Sequence, residues 1–256
     1  SMEFVGFDNF VRLMGDSTFK MSVGHTFYYA VFTVPLTVAA ALLIAVLLNS
    51  KIKGIVVYRT AFFFPYIASL VAVGAVWNML FMKDVGPINE FLRAIGISNP
   101  PGWVASVKWA MPAIIIVSVW KYMGYYMVVY LAALQGISGD LYEAARVDGA
   151  NSIQIFFKIT LPYMLYVTTP YLIATFTGNV NNFNIIYLLS GGDPITDLSS
   201  TAGSTDLLVT WLYKLTVDKQ YYNIGAVIGI LTFIILAVGA LFTYRRSKSY
   251  KEEGGF

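Results

Sequence analysis

The fold is decided by a stretch without any charged residue, T-F-Y-Y-A-V-F-T-V-P-L-T-V-A-A-A-L-L-I-A-V-L-L, which holds 23 residues from Thr26 to Leu48. A helix of roughly 20 apolar residues is long enough to cross the ~30 Å hydrocarbon layer of a membrane. This stretch therefore predicts a membrane-spanning helix, and much of the chain repeats its character.

Four further stretches have a similar composition. Residues 60–82, 159–192 and 220–244 carry no charge, and residues 109–139 carry only Lys121. These runs are continuous rather than alternating, and they are about twice as long as the strand of a membrane barrel. The sequence therefore predicts an all-α, polytopic transmembrane helical bundle with five spans. The predicted spans are about 24–48, 60–82, 109–134, 162–188 and 221–244.

The overall composition supports a membrane protein and excludes several classes of enzyme. Of the 256 residues, 57% are hydrophobic and 12% are charged, whereas soluble domains carry about 25% charged residues. The chain has no cysteine and a single histidine, His25, which excludes thiolate nucleophiles and thiolate or multi-histidine metal sites. A net charge of +3 without a basic stripe gives no indication of nucleic-acid binding. We expect no catalytic residue, no metal and no cofactor.

Basic residues at the span ends predict the orientation. The loop 49–59 carries three basic residues and no acid, and the segment 245–256 begins Arg-Arg-Ser-Lys. Because cytoplasmic loops are enriched in Lys and Arg, we predict that both segments, and with them the C-terminus, are cytoplasmic. Residues 1–23 then form an outer segment. They hold no apolar export signal, so we expect an earlier membrane span to precede residue 1.

The segment between the third and fourth spans is too polar to cross the membrane. Asp140 can cap a helix start, and Glu143 follows at the spacing of a capping box. Gly149 then permits a sharp turn, because glycine adopts positive φ freely. The pattern predicts two short helices at 140–160, joined by a glycine elbow on the cytoplasmic side.

Two interpretations of this elbow remain open from the residues alone. A connector lying at the membrane surface would account for its apolar faces. Contact with another protein would account for Glu143, Arg146 and Asp148 beside the small residues Ala144 and Ala145, because small residues allow close approach and charges fix the register.

The same segment carries a family resemblance. The residues E-A-A-R-V-D-G-A-N-S-I-Q-I-F-F-K-I-T-L-P from Glu143 to Pro162 match the pattern E-A-A-x3-G-x9-I-x-L-P. This pattern resembles that of the membrane subunits of binding-protein-dependent ABC importers. Further stretches resemble the carbohydrate branch, and the maltose/maltodextrin subgroup most closely. They are V-G-F-D-N-F (5–10), Y-R-T-A-F-F-F-P-Y (58–66), L-A-A-L-Q-G-I (131–137) and N-N-F-N-I-I-Y-L-L-S-G-G-D-P (181–194).

The resemblance implies a MetI-like permease core over 24–244, in a multi-pass protein of a bacterial plasma membrane. It implies four kinds of partner: a second permease subunit, two copies of a cytoplasmic ATP-binding subunit, an extracellular solute-binding protein and a carbohydrate. The elbow would be the pair of coupling helices. The implied ATPase-coupling residues are Glu143, Ala144, Ala145, Arg146, Asp148, Gly149, Ile159 and Pro162. The chain itself has no G-x4-G-K-[S/T] phosphate loop, so we expect no ATP hydrolysis by it and classify it as a transport subunit rather than an enzyme.

Polar residues in the fourth span predict a second functional region. This span holds Thr175, Thr177 and four asparagines at 179, 181, 182 and 184. Polar groups inside a membrane are costly and face an interior cavity or another helix. Hydrogen bonding between helices is one interpretation. A sugar site is the other, because amides donate to and accept from hydroxyl groups and neighbouring aromatic rings can lie against the apolar faces of a sugar.

The resemblance places one set of residues along the transport path. They are Tyr66, Tyr125, Thr175, Gly178, Asn179 and Asn182. Residues on the same helix faces extend the candidate sugar site. They are Ser69, Ser118, Lys121 and Tyr122. For Lys121 a second interpretation stays open, in which the side chain reaches outward to the membrane surface.

Other functions are less consistent with the sequence. A secondary transporter or channel would need a buried carboxylate relay, and no Asp or Glu lies inside a predicted span. An intramembrane enzyme would need paired aspartates, a His/Ser pair or a set of zinc ligands, and the spans hold none. Within the importer class, another oligosaccharide or glycerol phosphate is the alternative substrate. A phosphate would favour arginine in the cavity, and the predicted path contains none.

Overall fold

The computed structural model describes residues 5–49, 53–197 and 199–246. No strand occurs within these residues, which confirms the predicted all-α class. The helices are α1 (Asp8–Gly15), α2 (Ser17–Leu48), α3 (Ile55–Ile67), α4 (Leu70–Leu80), α5 (Pro87–Ala94), α6 (Val107–Gln135), α7 (Gly139–Val147), α8 (Ser152–Ile155), α9 (Leu161–Val180), α10 (Asn184–Ser190), α11 (Leu208–Tyr213) and α12 (Tyr222–Arg246). Short turns of 3₁₀-helix (Trp103–Ala105) and π-helix (Phe156–Thr160 and Lys214–Asp218) complete the helical structure.

Three helices are long and apolar enough to cross a membrane: α2, α6 and, over Tyr222–Arg245, α12. They correspond to the predicted spans 24–48, 109–134 and 221–244. The bent pair of α3 and α4 gives a fourth candidate if the pair is one broken span. The described residues thus contain three or four candidate spans, and the predicted count of five stays a prediction.

The predicted span 60–82 is not one continuous helix. α3 ends at Ile67 and α4 begins at Leu70. Pro65 lies in the last turn of α3, where its missing N–H removes one helical hydrogen bond. Ser69 then has non-helical backbone angles, φ −53° and ψ 130°. The predicted span 60–82 therefore consists of two helices that are separated by a break directly after the proline turn, and its crossing of the membrane stays a prediction.

The predicted span 162–188 is also divided. α9 ends at Val180 and α10 begins at Asn184. Asparagine side chains compete for backbone hydrogen bonds and favour turns, and three of the four asparagines of this region lie at 181, 182 and 184, at or beside the break. α9 by itself is not among the candidate spans.

The chain forms two compact units. Unit 1 consists of Ser1–Thr33, Ala68–Ser118 and Thr177–Ala237, and unit 2 consists of Val34–Ile67, Val119–Phe176 and Val238–Phe256. The core of unit 1 includes the buried residues Leu13, Phe19, Ala202, Leu208, Trp211, Leu215, Val227 and Ile228. The core of unit 2 includes Ala41, Leu42, Ala45, Leu48, Met127, Tyr130, Leu131, Leu134, Ile137 and Met164.

A buried ion pair stabilises the segment that precedes α11 in unit 1. Lys214 Nζ lies 2.7 Å from Asp206 Oδ2, and the Asp206 side chain is fully buried. The backbone N–H of Gly203 donates to the same carboxylate oxygen at 2.8 Å. The N–H of Leu208 donates to Thr26 Oγ1 at 2.9 Å, which links the start of α11 to α2. These contacts fix a long loop through buried polar groups.

Parts of the predicted terminal and loop segments lie outside the described residues. α12 continues to Arg246, so the predicted tail 245–256 begins inside a helix. Residues 247–256 of that tail, residues 1–4 of the predicted outer segment and residues 50–52 of the basic loop are not described.

Candidate functional site

The elbow predicted at 140–160 is present in unit 2 as two helices joined by a left-handed turn. Gly149 follows the end of α7 at φ +79°, a conformation that glycine adopts without steric cost. Its N–H donates to the Arg146 carbonyl at 3.0 Å, and the Ala150 N–H donates to the Ala145 carbonyl at 2.9 Å. These two bonds form a Schellman motif. A Cβ at Gly149 would meet no atom within 4 Å, so backbone conformation rather than packing requires glycine here.

The cap of the first helix of the elbow differs from the prediction. Ser138 is the N-cap of α7, and its side chain accepts a hydrogen bond from the Asp140 N–H at 3.3 Å. Asp140 is already helical, so the predicted cap with Glu143 as its partner is wrong. Asn151 caps α8 and forms a reciprocal capping box with Gln154, with both hydrogen bonds at 2.9 Å.

α7 presents most of its side chains to the exterior of the chain. None of its residues is buried, and the apolar side chain of Val147 is 87% exposed. Among the predicted coupling residues, those exposed are Glu143, Ala144, Arg146, Asp148, Gly149 and Pro162, and those half-buried are Ala145 and Ile159. The helix therefore offers charged and apolar groups together on a surface that this chain does not cover.

The second half of the elbow continues directly into a long helix. α8, the π-helical turn and α9 follow one another without interruption from Ser152 to Val180. Pro162 has no N–H to donate to the carbonyl of Lys158, and in the turn before it the N–H of Leu161 bonds to the carbonyl of Phe156, five residues earlier. Ile159 packs against the core of unit 2. The elbow and α9 are therefore parts of one continuous helical run.

A cavity of about 320 Å³ lies beside the elbow in unit 2. Its lining residues are Val46, Asn49, Leu134, Tyr142, Arg146, Ser152, Ile155, Phe156 and Thr160. The hydroxyls of Tyr142 and Thr160 are 3.2 Å apart and form a hydrogen bond. This bond links α7 to the turn that precedes α9.

A cluster of tyrosines forms a second site in unit 2. The rings of Tyr66 and Tyr125 are stacked, with centroids 4.5 Å apart and planes inclined by 14°. Tyr122 meets Tyr66 edge-on at 6.3 Å. Tyr171 on α9 lies 6.1 Å from Tyr125 and 5.4 Å from Tyr126. Tyr66 is 36% exposed, so part of the cluster can contact a ligand.

Two polar residues accompany this cluster. The Thr175 hydroxyl donates to the Tyr171 carbonyl at 2.8 Å. Lys121 is 2% exposed. Its ammonium group donates to the carbonyls of Pro65 at 2.8 Å and Tyr66 at 3.0 Å. Lys121 therefore does not reach outward in this structure but binds the end of α3.

Other predicted sugar-site residues lie in unit 1, where a chain of hydrogen bonds connects two of them. Asn182 Nδ2 donates to the Tyr29 hydroxyl at 2.9 Å, which is 2.8 Å from Ser118 Oγ. The Ser118 hydroxyl in turn donates to the Ile114 carbonyl at 2.8 Å. Because Ser118 uses its proton on that carbonyl, Tyr29 donates to Ser118. Ser118 on α6 and Asn182 in the break after α9 are thus both linked to Tyr29 on α2.

The remaining predicted residues of unit 1 differ in exposure. Asn179 is 9% exposed, whereas Gly178 and Ser69 are exposed. A Cβ at Gly178 would meet nothing within 4 Å, so this part of α9 leaves room for another molecule.

Sequence reasoning missed three residues of these sites. Tyr126 directly follows Tyr125, and Tyr171 follows Pro170 just as Tyr66 follows Pro65, so the repeated Pro-Tyr pair was an available signal. Tyr29 lies among other apolar residues of α2, and its hydrogen bonds depend on residues distant in the sequence. No group of three or more His, Cys, Asp or Glu side chains suited to a metal ion occurs in the described part of the chain.

The chain is similar to known transport proteins over most of its length. The family described as "Binding-protein-dependent transport system inner membrane component" matches residues 13–248. The chain is 34% identical over 257 residues to the galactooligosaccharides transport system permease protein GanP of Bacillus subtilis (strain 168), covering 98% of this chain and 61% of that protein. It is 38% identical over 246 residues to the maltose/maltodextrin transport system permease protein MalF of Klebsiella aerogenes, covering 93% of this chain and 47% of that protein. The chain thus spans about half to three fifths of the length of these relatives.

A solved structure is also similar. The chain resembles one chain in the crystal structure of a bacterial alginate ABC transporter in complex with an alginate pentasaccharide-bound periplasmic protein. The two are 26% identical with a TM-score of 0.85, and the match covers 96% of this chain and 84% of that chain.

Proposed function

The chain belongs to the family of binding-protein-dependent transport system inner membrane components, and we propose that it is one of two permease subunits of an ATP-driven importer of a neutral oligosaccharide. We propose maltose or a maltodextrin as the substrate. An extracellular binding protein delivers the sugar, and two cytoplasmic ATPase subunits supply the work.

The observation that carries this proposal is the exposed elbow of α7 and α8. No residue of α7 is buried, yet its end is fixed by a Schellman motif at Gly149. Tyr142 of this helix packs partly buried against the core of unit 2, but a nine-residue helix without a fully buried side chain gains little stability from its own chain. A partner protein that binds this helix would explain its defined shape. Glu143 and Arg146 would make charged contacts with that partner, and Val147 would make an apolar contact.

Work applied at the elbow has a direct route to the tyrosine cluster. The helical run from Ser152 includes Tyr171 of that cluster, and the two residues are roughly 30 Å apart along a helix rising 1.5 Å per residue. Closure of the ATPase subunits would displace the elbow and, through α9, Tyr171. The sugar site would thereby change its affinity between two states of the importer, as ATP-driven transport requires.

The chemistry of the tyrosine cluster suits an uncharged sugar. Aromatic faces pack against the C–H faces of sugar rings, and the hydroxyls of Tyr66, Tyr125 and Tyr171 both donate and accept. The ammonium group beside the cluster, Lys121, is bound to backbone carbonyls. Gly178, Asn179 and Asn182 stay predicted sugar contacts by resemblance.

The test is uptake by the whole importer in sealed vesicles. The complex is purified from its native membrane with its ATPase and second permease, and ATP is enclosed at the ATPase face. We expect maltotriose to enter only with ATP and the binding protein present, and an oligouronate of the same length to stay outside. Uptake of a galactooligosaccharide instead would support ATP-driven import by this protein but would contradict maltose or maltodextrin as its substrate. Uptake driven by an ion gradient without ATP would overturn the proposal.

A further inference from the structure

The break between α3 and α4 leaves carbonyl groups that need donors. α3 ends at Ile67, so the carbonyls of Pro65 and Tyr66 face the interrupted end of the helix. Unsatisfied carbonyls are costly where water is scarce, and the C-terminal end of a helix carries partial negative charge. A buried cation with several N–H donors is suited to such a position.

Lys121 satisfies both carbonyls. Its Nζ lies 2.8 Å from the Pro65 oxygen and 3.0 Å from the Tyr66 oxygen, and its side chain is 2% exposed. An ammonium group has three donors, so one lysine can close two of the open carbonyls at once.

The same turn of α6 holds the ring of Tyr66. Tyr125 lies four residues after Lys121, on the same face of the helix, and stacks on Tyr66 at 4.5 Å. Between them, Gly124 lies so close to α3 that a Cβ there would collide with the Phe62 carbonyl. One turn of α6 thus contacts α3 at three successive points, and it fixes Tyr66 through its backbone as well as through its ring.

We propose that Lys121 is a positioning residue that does not contact the sugar. It caps the broken end of α3 and thereby holds Tyr66 in register with Tyr125. The inference rests on the proposed function for its transport consequence, since the tyrosine pair is the proposed sugar platform. The positional part concerns this chain alone and is measurable without any sugar.

The first experiment measures position. The chain has no cysteine, so the pair Tyr66→Cys and Tyr125→Cys can be introduced directly, and the assembled importer is treated with a short bis-methanethiosulfonate linker in lipid nanodiscs. Adding Lys121→Met is expected to slow intramolecular cross-linking about tenfold, because hydrogen bonds to a charged group are lost. Lys121→Arg should retain more cross-linking than Lys121→Met, since it keeps N–H donors. The matched control is Lys108→Met, an exposed lysine of the same helix, which should leave the rate unchanged.

The second experiment measures transport of maltotriose. If Lys121 acts through Tyr66, Lys121→Met should lower uptake in the wild-type background and add nothing to Tyr66→Ala, because coupled residues are not additive. Independent losses that multiply would instead show direct sugar contact and overturn the proposal. ATPase assembly is checked for each variant, and Lys121→Gln replaces Lys121→Met if the latter does not assemble.

The outcomes separate this inference from the proposed function. Cross-linking as fast in Lys121→Met as in the parent pair overturns the positioning role, whatever the importer carries. A wild-type importer that takes up no maltotriose overturns the proposed substrate, while the cross-linking rates still decide the role of Lys121.

Discussion

Replacing Gly149 by alanine tests how the elbow is built. The residue has φ +79°, and the left-handed region costs an L-residue about 1–2 kcal/mol. The added Cβ meets no atom within 4 Å, so the whole effect acts through the backbone. With no buried residue in α7 to resist the change, we expect the native elbow to become roughly 5–30 times less favoured relative to alternative shapes.

The assay is ATP-driven uptake of maltotriose by the reconstituted importer, together with ATP turnover. Gly149→Ala should lower uptake per ATP hydrolysed, while sugar capture by the binding protein stays normal. Gly149→Asn should be milder, because asparagine tolerates positive φ better than alanine. Gly139→Ala is the matched control, since Gly139 begins the same helix, is equally uncrowded and does not have a left-handed φ.

Two results would refute this reasoning. Wild-type coupling in Gly149→Ala would mean that the elbow shape does not control transport. An equal loss in Gly139→Ala would mean that any added methyl group disturbs the surface, so that the left-handed turn has no special part.

Three further variants test contacts within each unit through the thermal midpoint of the purified importer. Tyr29→Phe removes the hydroxyl that accepts from Asn182 and should cost about 1–3 kcal/mol; an unchanged midpoint would show that this hydrogen-bonded chain contributes nothing. Lys214→Met leaves the buried Asp206 carboxylate without its cation and should cost about 3–5 kcal/mol, which Asp206→Asn in the same chain should partly restore. Gly124→Ala forces a Cβ into the backbone of α3 and should cost about 1–3 kcal/mol; a stable variant would contradict the close approach of α3 and α6.

The class of fold was predictable because it depends on local composition. Uncharged runs such as Thr26 to Leu48 identify helices that a membrane can hold, and α2, α6 and α12 are found there. The breaks were harder to predict. The interruption after Ile67 leaves carbonyls whose donor is Lys121, more than fifty residues away in the sequence. A pattern within one span does not contain that information.

The candidate sites were predictable to different degrees. The elbow is local, since Gly149 and its helix lie within one short segment, although the cap was assigned to Asp140 instead of Ser138. The roles of the polar residues are set by tertiary contacts. Asn182 was open to two interpretations, and only its contact with Tyr29 across the fold indicates hydrogen bonding between helices.

The central claim is that a separate ATPase drives this chain by binding to its elbow. The most direct test is site-specific cross-linking from Val147→Cys, which is highly exposed on α7, in the importer within its native membrane. We predict a cross-link to the ATP-hydrolysing subunit whose yield changes when ATP is bound, and none from Phe91→Cys, an exposed position on α5. A Val147→Cys thiol that reacts only with reagents applied from outside the cell, or that never reaches an ATPase, would contradict the account.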